Sequence, residues 1–253
     1  MFFQELPIFL RHGRQYIPDL RGVELPGTFR GRPVISSNIT MEEAITVADL
    51  CPVKAIGTNP CFIDLGKCVF CGECKFFLPG KIVFTHDYRI ATNDRKKLRI
   101  HQGEDFPVRL DPEKIRKEVR RIFKHALKLR QVSAGGDNSA EMELNASGNV
   151  NFDMGRYGIE FVASPRHADG LVITGPISEN MADALQLTYE ATPEPKVIIL
   201  SGSDAISGGL FIDGHALNRS FTDRFRIDLF VPGNPPHPLT FINGVLDLIG
   251  RKI

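Results

Sequence analysis

Residues 66–79 read GKCVFCGECKFFLP, and their three cysteines determine the fold expected for the N-terminal part of the chain. Cys68, Cys71 and Cys74 have the C-x₂-C-x₂-C spacing that binds iron–sulfur clusters. The complete run, C-x₂-C-x₂-C-x₃-C-P, would place a fourth cysteine where this chain has Leu78. A cubane cluster is held by four thiolates, so the fourth thiolate must come from another segment.

The missing thiolate is expected upstream, because Cys51-Pro52 has the form of the C-P end of a second run. In a two-cluster ferredoxin fold, each [4Fe–4S] cluster takes three cysteines from one run and its fourth from the C-P end of the other. The remaining cysteine positions of the first run hold Met41, Ala44 and Val47. That half has therefore lost its cluster, and Leu78 occupies the position that would have served it. The sequence predicts one [4Fe–4S] cluster held by Cys51, Cys68, Cys71 and Cys74.

Composition sets broad limits on the chain. Its 253 residues are 42% hydrophobic and 24% charged with a net charge of +1, which is ordinary for a globular protein and does not indicate a polyanionic partner. The sequence lacks an apolar run long enough for a bilayer and a signal-peptide pattern, so we expect a cytoplasmic protein. All five cysteines fall within residues 51–74, which favours thiolate ligation over disulfides. A structural zinc on the same four thiolates is the alternative, and Cys61 is expected to be a buried or free thiol.

The N-terminal part is expected to contain an arm and a small α+β module. Scattered proline and glycine over residues 1–36 indicate an extended arm that docks onto another surface, usually a partner. Thr40 and Glu43 form a capping box, which predicts a helix ending near Leu50. Strands are expected at 61–64 and 81–85, so residues 37–110 form a degenerate two-cluster-ferredoxin-like module.

A linker helix is predicted over residues 111–130. Asp111-Pro112 gives an N-cap followed by proline at the first helical position. An apolar stripe at helical spacing follows, made of Ile115, Val119, Ile122, Phe123, Ala126 and Leu127. The other face is basic, with Lys114, Arg116, Lys117, Arg120, Arg121, Lys124 and Lys128. This face is either solvated or a docking surface for an acidic partner or anionic lipid, and without interleaved aromatic residues it does not predict nucleic-acid binding.

Residues 131–253 show short buried strands alternating with helices, which predicts a flavodoxin-like, doubly wound parallel sheet and an α/β fold class. The predicted strands are 159–162, 171–174, 196–200 and 226–231, and the predicted helices are 138–146, 178–190 and 238–250. Ligands bind beyond the carboxyl ends of the strands in such sheets. Three loops are therefore expected to converge there, at residues 132–139, 201–204 and 232–236.

Several long motifs give this C-terminal part a family resemblance. They are FVASPRHAD at 161–169, TGPISENM at 174–181, YEATPEPK at 189–196 and VPG at 231–233. With these motifs, residues 131–253 resemble the small subunit of membrane-bound [NiFe] hydrogenases of the formate hydrogenlyase and energy-converting type, and the homologous cluster-bearing subunit of complex I. The segment IDLGKCVFCGEC at 63–74 resembles the ferredoxin-like subunit of the same complexes. The chain therefore resembles a fusion of the two subunits over roughly residues 35–253.

The resemblance implies a proximal [4Fe–4S] site that this chain has lost. In the family, cysteines in three loops bind that cluster, and their positions here are occupied by Asp137, Ala140, Asp204 and Asn234. No thiolate remains among them, so the resemblance predicts that the proximal cluster is absent. The pocket would hold either a polar plug or, through Asp137, Asp204, Asn234 and Ser139, a hard cation such as Mg²⁺ or Ca²⁺.

Three further residues take candidate roles from the resemblance. Glu141 lies where the family keeps a carboxylate near the large subunit, so it either transfers protons or stabilises a helix N-terminus. Arg166 and His167 lie in a motif of the subunit interface, although a lone histidine is more often structural.

Together these features predict an iron–sulfur subunit with one cluster and no turnover of its own. The implied partner is a hydrogenase large-subunit-like (complex I 49 kDa-like) protein, with membrane subunits of the same complex reached indirectly. The chain would lie at the cytoplasmic face of the membrane and bind no nucleic acid. One alternative is a working electron-transfer subunit whose path bypasses the lost site, and the other is a structural or regulatory subunit with a purely structural cluster.

Overall fold

The N-terminal part of the fold is an α+β unit with two small antiparallel sheets. In the computed structural model, residues 15–252 are described together with Pro7, Leu10 and Gly13. The five strands of this part are β1 (Pro33–Ile35), β2 (Ile56–Thr58), β3 (Cys61–Asp64), β4 (Ile82–Phe84) and β5 (Arg99–His101). Strand β1 pairs with β4, and β2, β3 and β5 form the second sheet in that order. Its helices are α1 (Met41–Leu50) and α2 (Glu73–Phe77).

Helix α1 begins and ends where the sequence predicts. The Thr40 hydroxyl accepts a hydrogen bond from the Glu43 amide at 3.2 Å, and the Glu43 carboxylate accepts one from the Thr40 amide at 3.0 Å. This reciprocal pairing satisfies two amides that the first turn of a helix leaves without partners. Lys81 also pairs with Glu43, at 2.6 Å, and so connects the helix start to the chain before β4.

The described part of the arm packs against the chain itself. Leu20 is completely buried, and its carbonyl accepts hydrogen bonds from the Tyr88 hydroxyl at 2.8 Å and from the Asn243 amide at 2.9 Å. Arg21 pairs with Asp247 at 2.7 Å. This stretch of the arm therefore covers the last helix of its own chain, and docking of the arm onto a partner stays a prediction. Residues 1–6, 8–9, 11–12 and 14 of the predicted arm lie outside the described residues.

The predicted linker helix over 111–130 is much shorter in the structure. The Asp111 carboxylate caps a 3₁₀ turn at Pro112–Lys114, and helix α3 then covers only Lys117–Ile122. From Leu127 onward the chain is strand β6 (Leu127–Ser133). Leu127 and Leu129 are both fully buried with Lys128 exposed between them, which is the two-residue period of a strand. The predicted helix is therefore wrong from Leu127 onward, because this residue begins a strand.

The C-terminal part is built on a five-stranded parallel sheet. Its other strands are β7 (Ile159–Phe161), β8 (Gly170–Thr174), β9 (Val197–Ser201) and β10 (Leu229–Val231). All four pairings are parallel, in the order β10-β9-β8-β6-β7. Taken from β6 onward, this is the 2-1-3-4-5 order of flavodoxin-like sheets, whose switch point lies between the first and third strands. The parallel sheet and the α/β class are as predicted.

Five helices connect and cover this sheet. They are α4 (Ser139–Ser147), α5 (Glu179–Ala191), α6 (Ser203–Ser207), α7 (Ser220–Arg224) and α8 (Pro238–Ile249). The predicted helices at 138–146, 178–190 and 238–250 correspond to α4, α5 and α8 within one residue at each end. Almost every residue of α8 is buried, and the helix packs in the apolar core beside the sheet. None of the helices in the described residues has the length and apolar character needed to cross a membrane.

Candidate functional site

Four cysteines from two separate segments line one pocket. Cys51 directly follows α1, Cys68 and Cys71 lie in the loop between β3 and α2, and Cys74 lies in α2. The same pocket is walled by apolar side chains, including Val47, Val53, Ile56, Ile63 and Phe84. We call it the cysteine pocket. Cys61 is completely buried in the same apolar core.

Apolar side chains are buried at three of the four positions where a two-cluster ferredoxin would carry further cysteines. Ala44 and Val47 are buried, and Leu78 is 6% exposed in the same core cluster, whereas Met41 lies on the exposed side of α1. Replacing thiolates with aliphatic side chains removes both the ligands and the space for a second cluster. The cysteine pocket is therefore the one place in this module where four cysteines meet.

The backbone of the cysteine loop directs amide groups at sulfur. The Phe70 amide donates to Cys68 Sγ and the Ala55 amide donates to Cys51 Sγ, both at 3.3 Å. Phe70 has a φ of 54°, and its carbonyl accepts a hydrogen bond from Arg30 at 2.5 Å. Such N–H···S contacts stabilise negative charge on sulfur and are among the features that set the potential of an iron–sulfur cluster.

A buried ion pair that is not predicted from the sequence supports this loop. Asp64 is 2% exposed and accepts two hydrogen bonds from the Arg95 guanidinium, at 2.7 and 2.9 Å. Its carboxylate also accepts from the Gly66 amide at 2.9 Å, and its carbonyl accepts from the Cys68 amide at 2.9 Å. An aspartate at the end of a buried strand and two residues before a glycine is a signal for such a turn. These hydrogen bonds to Asp64 therefore hold the backbone of the loop in position up to Cys68.

The donor set of the cysteine pocket is that of a thiolate-bound metal centre. Burial raises the pKa of Cys68 and raises that of Cys74 to about 11, so both are protonated in the absence of a cationic centre. Zinc would require four sulfurs about 2.3 Å from one point. Within residues 15–252, no three His, Cys, Asp or Glu side chains are arranged around a single metal position. Four thiols that line one pocket are the donor set of either a [4Fe–4S] cluster or a structural zinc ion, and the choice of the cluster stays a prediction.

A second pocket, the acidic pocket, lies at the switch point of the sheet. It is lined by residues that follow β6, β8, β9 and β10, so the three predicted loops do converge there. Asp137, Ala140, Asp204 and Asn234, the four positions where the family resemblance implies cysteines, all line this one pocket. The lining contains carboxylates, hydroxyls and amide groups, with no cysteine, lysine, arginine or histidine.

Asp204 is the most perturbed group of the acidic pocket. Burial, with smaller contributions from the charges of Asp137 and Glu141, raises the pKa of Asp204 to about 6. The pKa of Asp137 is lowered instead, because the hydroxyl and amide of Ser139 both donate to its carboxylate. Asp204 Oδ1 has no hydrogen-bond partner among the described residues, and the same holds for the hydroxyls of Ser201 and Ser203.

Glu141 connects two strand ends instead of facing solvent. It is 5% exposed, and its Oε1 accepts hydrogen bonds from Ser133 and Thr174, both at 2.6 Å. These hydroxyls belong to the last residues of β6 and β8, so Glu141 fixes the width of the pocket at the switch point. The sequence predicts a role for Glu141, whereas no short motif marks Ser133 or Thr174 as its partners.

Arg166 and His167 lie elsewhere. Both are exposed in a 3₁₀ turn, Pro165–His167, that follows the edge strand β7. Neither residue lines the acidic pocket. Their exposure agrees with a role in an interface, which stays a prediction.

A cavity of about 180 Å³ lies between the two pockets. Val69 and Phe70 line it beside the cysteine loop, and Gly233 and Asn234 line it beside the acidic pocket. His237, which also lines it, packs edge-on against Phe29 and Phe152, and its Nδ1 accepts from the Leu239 amide at 3.1 Å. Burial lowers the pKa of His237 to about 4, so this helix-capping imidazole is neutral at pH 7.

His237 gives a pH prediction for stability. Its folded pKa lies below the ordinary value of 6.5, so the folded state holds the proton less tightly than the unfolded chain. Its contribution is complete above pH 6.5 and is lost as the pH falls toward 4. His237→Asn keeps a side chain that can cap the helix but does not bind a proton in this pH range. We expect the variant to lose about 1 to 2 kcal/mol less unfolding free energy than the wild type between pH 6.5 and 4, after allowance for solvent screening. Urea unfolding of both proteins at pH 7.5 and 4.5 measures this, and identical pH dependences would contradict it.

The strand order and the pocket at its switch point define a doubly wound α/β protein of the flavodoxin-like class. The family model for the NADH ubiquinone oxidoreductase 20 kDa subunit matches residues 138–248. The chain belongs to this family, as the motifs of its C-terminal part predict. The matched segment begins after the cysteine module, whose ferredoxin-like identity stays a prediction.

Individual sequence relatives support the same family. A probable membrane-bound hydrogenase subunit of Pyrococcus furiosus is 36% identical over 115 residues, which are 46% of this chain and 69% of that protein. An NADH-quinone oxidoreductase subunit of Heliobacterium modesticaldum is 44% identical over 108 residues, 42% of this chain and 62% of that protein. A solved chain of the membrane-bound sulfane sulfur reductase, an archaeal respiratory membrane complex, aligns at 25% identity and a TM-score of 0.46 over 52% of this chain and 72% of that one.

Proposed function

We propose that the chain is an iron–sulfur subunit of a membrane-associated complex of the hydrogenase or NADH-quinone oxidoreductase type. It fuses a ferredoxin-like module, residues 37–110, to a small-subunit-like domain, residues 131–253. One [4Fe–4S] cluster is held by Cys51, Cys68, Cys71 and Cys74, and the proximal cluster is absent. The observation that carries the proposal is the contrast between a pocket lined by four cysteines and a switch-point pocket lined by none.

The cysteine pocket supports the first half of the proposal. Four sulfur donors meet within apolar walls, and amides donate to two of the sulfurs. A bound cluster would supply one-electron transfer there. The chain's own contribution is to exclude water with residues such as Val47 and Phe84 and to hold the cysteine loop through Asp64.

The acidic pocket supports the second half. Its carboxylates and hydroxyls are hard donors, whereas iron–sulfur clusters are bound mainly by soft thiolates. Electrons from a cluster in the cysteine pocket would then find no second redox centre at the switch point. A large-subunit-like partner would therefore be coupled to this chain through contact and conformation, unless a path through the intervening cavity bypasses the acidic pocket.

Family membership supports the placement in a complex. Relatives are named as subunits of a membrane-bound hydrogenase and of NADH-quinone oxidoreductases. By analogy, the partner is a large-subunit-like protein, and contact with the membrane runs through further subunits. The exposed turn with Arg166 and His167 is the proposed interface on this side of the sheet.

The test is the iron and sulfide content of the anaerobically reconstituted chain, with EPR spectra after reduction. About four irons and four sulfides per chain with a reducible signal agree with the proposal. About eight irons would overturn the loss of the proximal cluster, and stoichiometric zinc without sulfide would overturn the cluster itself. Bound iron and sulfide that cannot be reduced would instead favour the purely structural alternative.

A further inference from the structure

We propose that the acidic pocket is a binding site for a hard divalent cation, Mg²⁺ or Ca²⁺. The inference rests on the oxygen donors of this pocket and does not depend on a cluster in the cysteine pocket. It assigns a ligand to the switch point of a domain that holds no thiolate there.

Unpartnered oxygens are the first argument for a missing ligand. Ser201 and Ser203 are 0% and 1% exposed, and both line the pocket. Their hydroxyls and Asp204 Oδ1 are buried and have no hydrogen-bond partner among the described residues. Buried polar atoms are nearly always paired, so three orphaned oxygens around one pocket indicate that a species is to be bound between them.

Negative charge without a basic side chain in the lining is the second argument, and it indicates the sign of the ligand. Asp137, Glu141 and Asp204 contribute carboxyl groups, and no lysine, arginine or histidine lines the pocket. The negative charges of Asp137 and Glu141 both contribute to the raised pKa of Asp204. A cation among these groups offsets their repulsion, whereas an anion would add to it.

The size and type of the donors narrow the class of cation. The cavity has a volume of about 10 Å³, which is room for one water-sized species. Carboxylate, hydroxyl and amide oxygens suit Mg²⁺ and Ca²⁺, while soft metals prefer sulfur. No three carboxyl or imidazole side chains in the described part of the chain surround one position. Neutral oxygens from Ser201, Ser203 and Asn234 would therefore complete the shell around Asp204, so we expect weak binding, with a Kd of about 10⁻⁴ to 10⁻³ M.

The experiment is calorimetric titration of the chelator-treated protein with CaCl₂ and, separately, MgCl₂. We expect one saturable site for at least one of the two ions and a loss of affinity of about tenfold or more in Asp204→Ala. Ser203→Ala, which removes a neutral donor, should weaken binding less. Asp213→Asn is the matched control, because this carboxylate is exposed and pairs with Lys54 at the surface.

Three outcomes decide the proposal. The expected pattern of one site that depends on Asp204 and Ser203 supports it. Absence of saturable binding in the wild-type protein overturns it, because the pocket then holds only water or a proton. Binding that survives in both Asp204→Ala and Ser203→Ala, with circular dichroism spectra showing both variants folded, overturns it as well. Cys51→Ser should leave cation binding unchanged, so failure of the proposed cluster and failure of this site are separable.

Discussion

Cys51→Ser is expected to lower the iron content of the reconstituted protein from about four atoms per chain to three or fewer. The reason is geometric: Cys51 is the one cysteine of the pocket that comes from outside the C-x₂-C-x₂-C run, and without it only three thiolates remain. Three thiolates leave one iron without a protein sulfur, so the cluster loses that iron or fails to assemble. Iron and sulfide analysis with EPR of the as-isolated and reduced states measures the change.

The matched control is Cys61→Ala. Cys61 is closer in sequence to the C-x₂-C-x₂-C run than Cys51 is, yet it is completely buried in strand β3 within the apolar core. The substitution removes a thiol at a small packing cost, and iron content should stay at the wild-type level. Iron content that falls in Cys61→Ala and stays unchanged in Cys51→Ser would show that the fourth ligand had been assigned to the wrong cysteine.

Local patterns predicted much of this fold because they are strong where one segment decides its own structure. The capping box at Thr40 placed α1 to the residue, and α4, α5 and α8 lie within one residue of their predicted ends. The alternation of buried strands and helices also predicted the parallel sheet. From that topology alone, loops up to a hundred residues apart could be expected to meet in one pocket.

The prediction of one linker helix over residues 111–130 was wrong for a physical reason. Its apolar residues Ile115, Val119 and Phe123 have helical spacing and are all buried, so the pattern favours a helix up to that point. Leu127 lies four residues after Phe123 and so continues the helical spacing, whereas Leu127 and Leu129 together have the two-residue spacing of a strand. Pairing of β6 with both β7 and β8 decides between the two, and such long-range hydrogen bonds are not visible in a local window.

The residues of a site could be predicted where a sequence motif with a defined residue spacing marks them. Cysteine spacing identified the four thiols, and the family motifs identified the four positions of the acidic pocket. The supporting shell was not predictable, because Asp64 meets Arg95 and Glu141 meets Thr174 only after the chain has folded. Polar residues that support a site have no periodicity of their own.

Arg116 illustrates the same limit on the basic face of the linker. The sequence places it among the basic residues of a solvated or docking surface. In the structure its guanidinium donates to both carboxylate oxygens of Asp228, at 3.1 and 3.0 Å, and also to the Lys196 carbonyl. The solvated interpretation is wrong for Arg116, whereas Arg120, Arg121 and Lys124 are exposed as that interpretation requires.

Arg116→Ala is therefore expected to lower the free energy of unfolding by about 3 kcal/mol or more. The Asp228 side chain is only 5% exposed. Without Arg116, its carboxylate would retain only a hydrogen bond from the Ile198 amide at 3.0 Å and a longer ion pair with Arg226 at 3.7 Å. A buried carboxylate left without its main counter-charge is destabilising because the lost hydration is no longer offset. Arg121→Ala, a change of the same side chain at an exposed position of α3, should shift the unfolding free energy by less than about 0.5 kcal/mol. Urea unfolding monitored by circular dichroism measures both, and equal shifts in the two variants would show that the Arg116–Asp228 pair does not fasten the linker to the sheet.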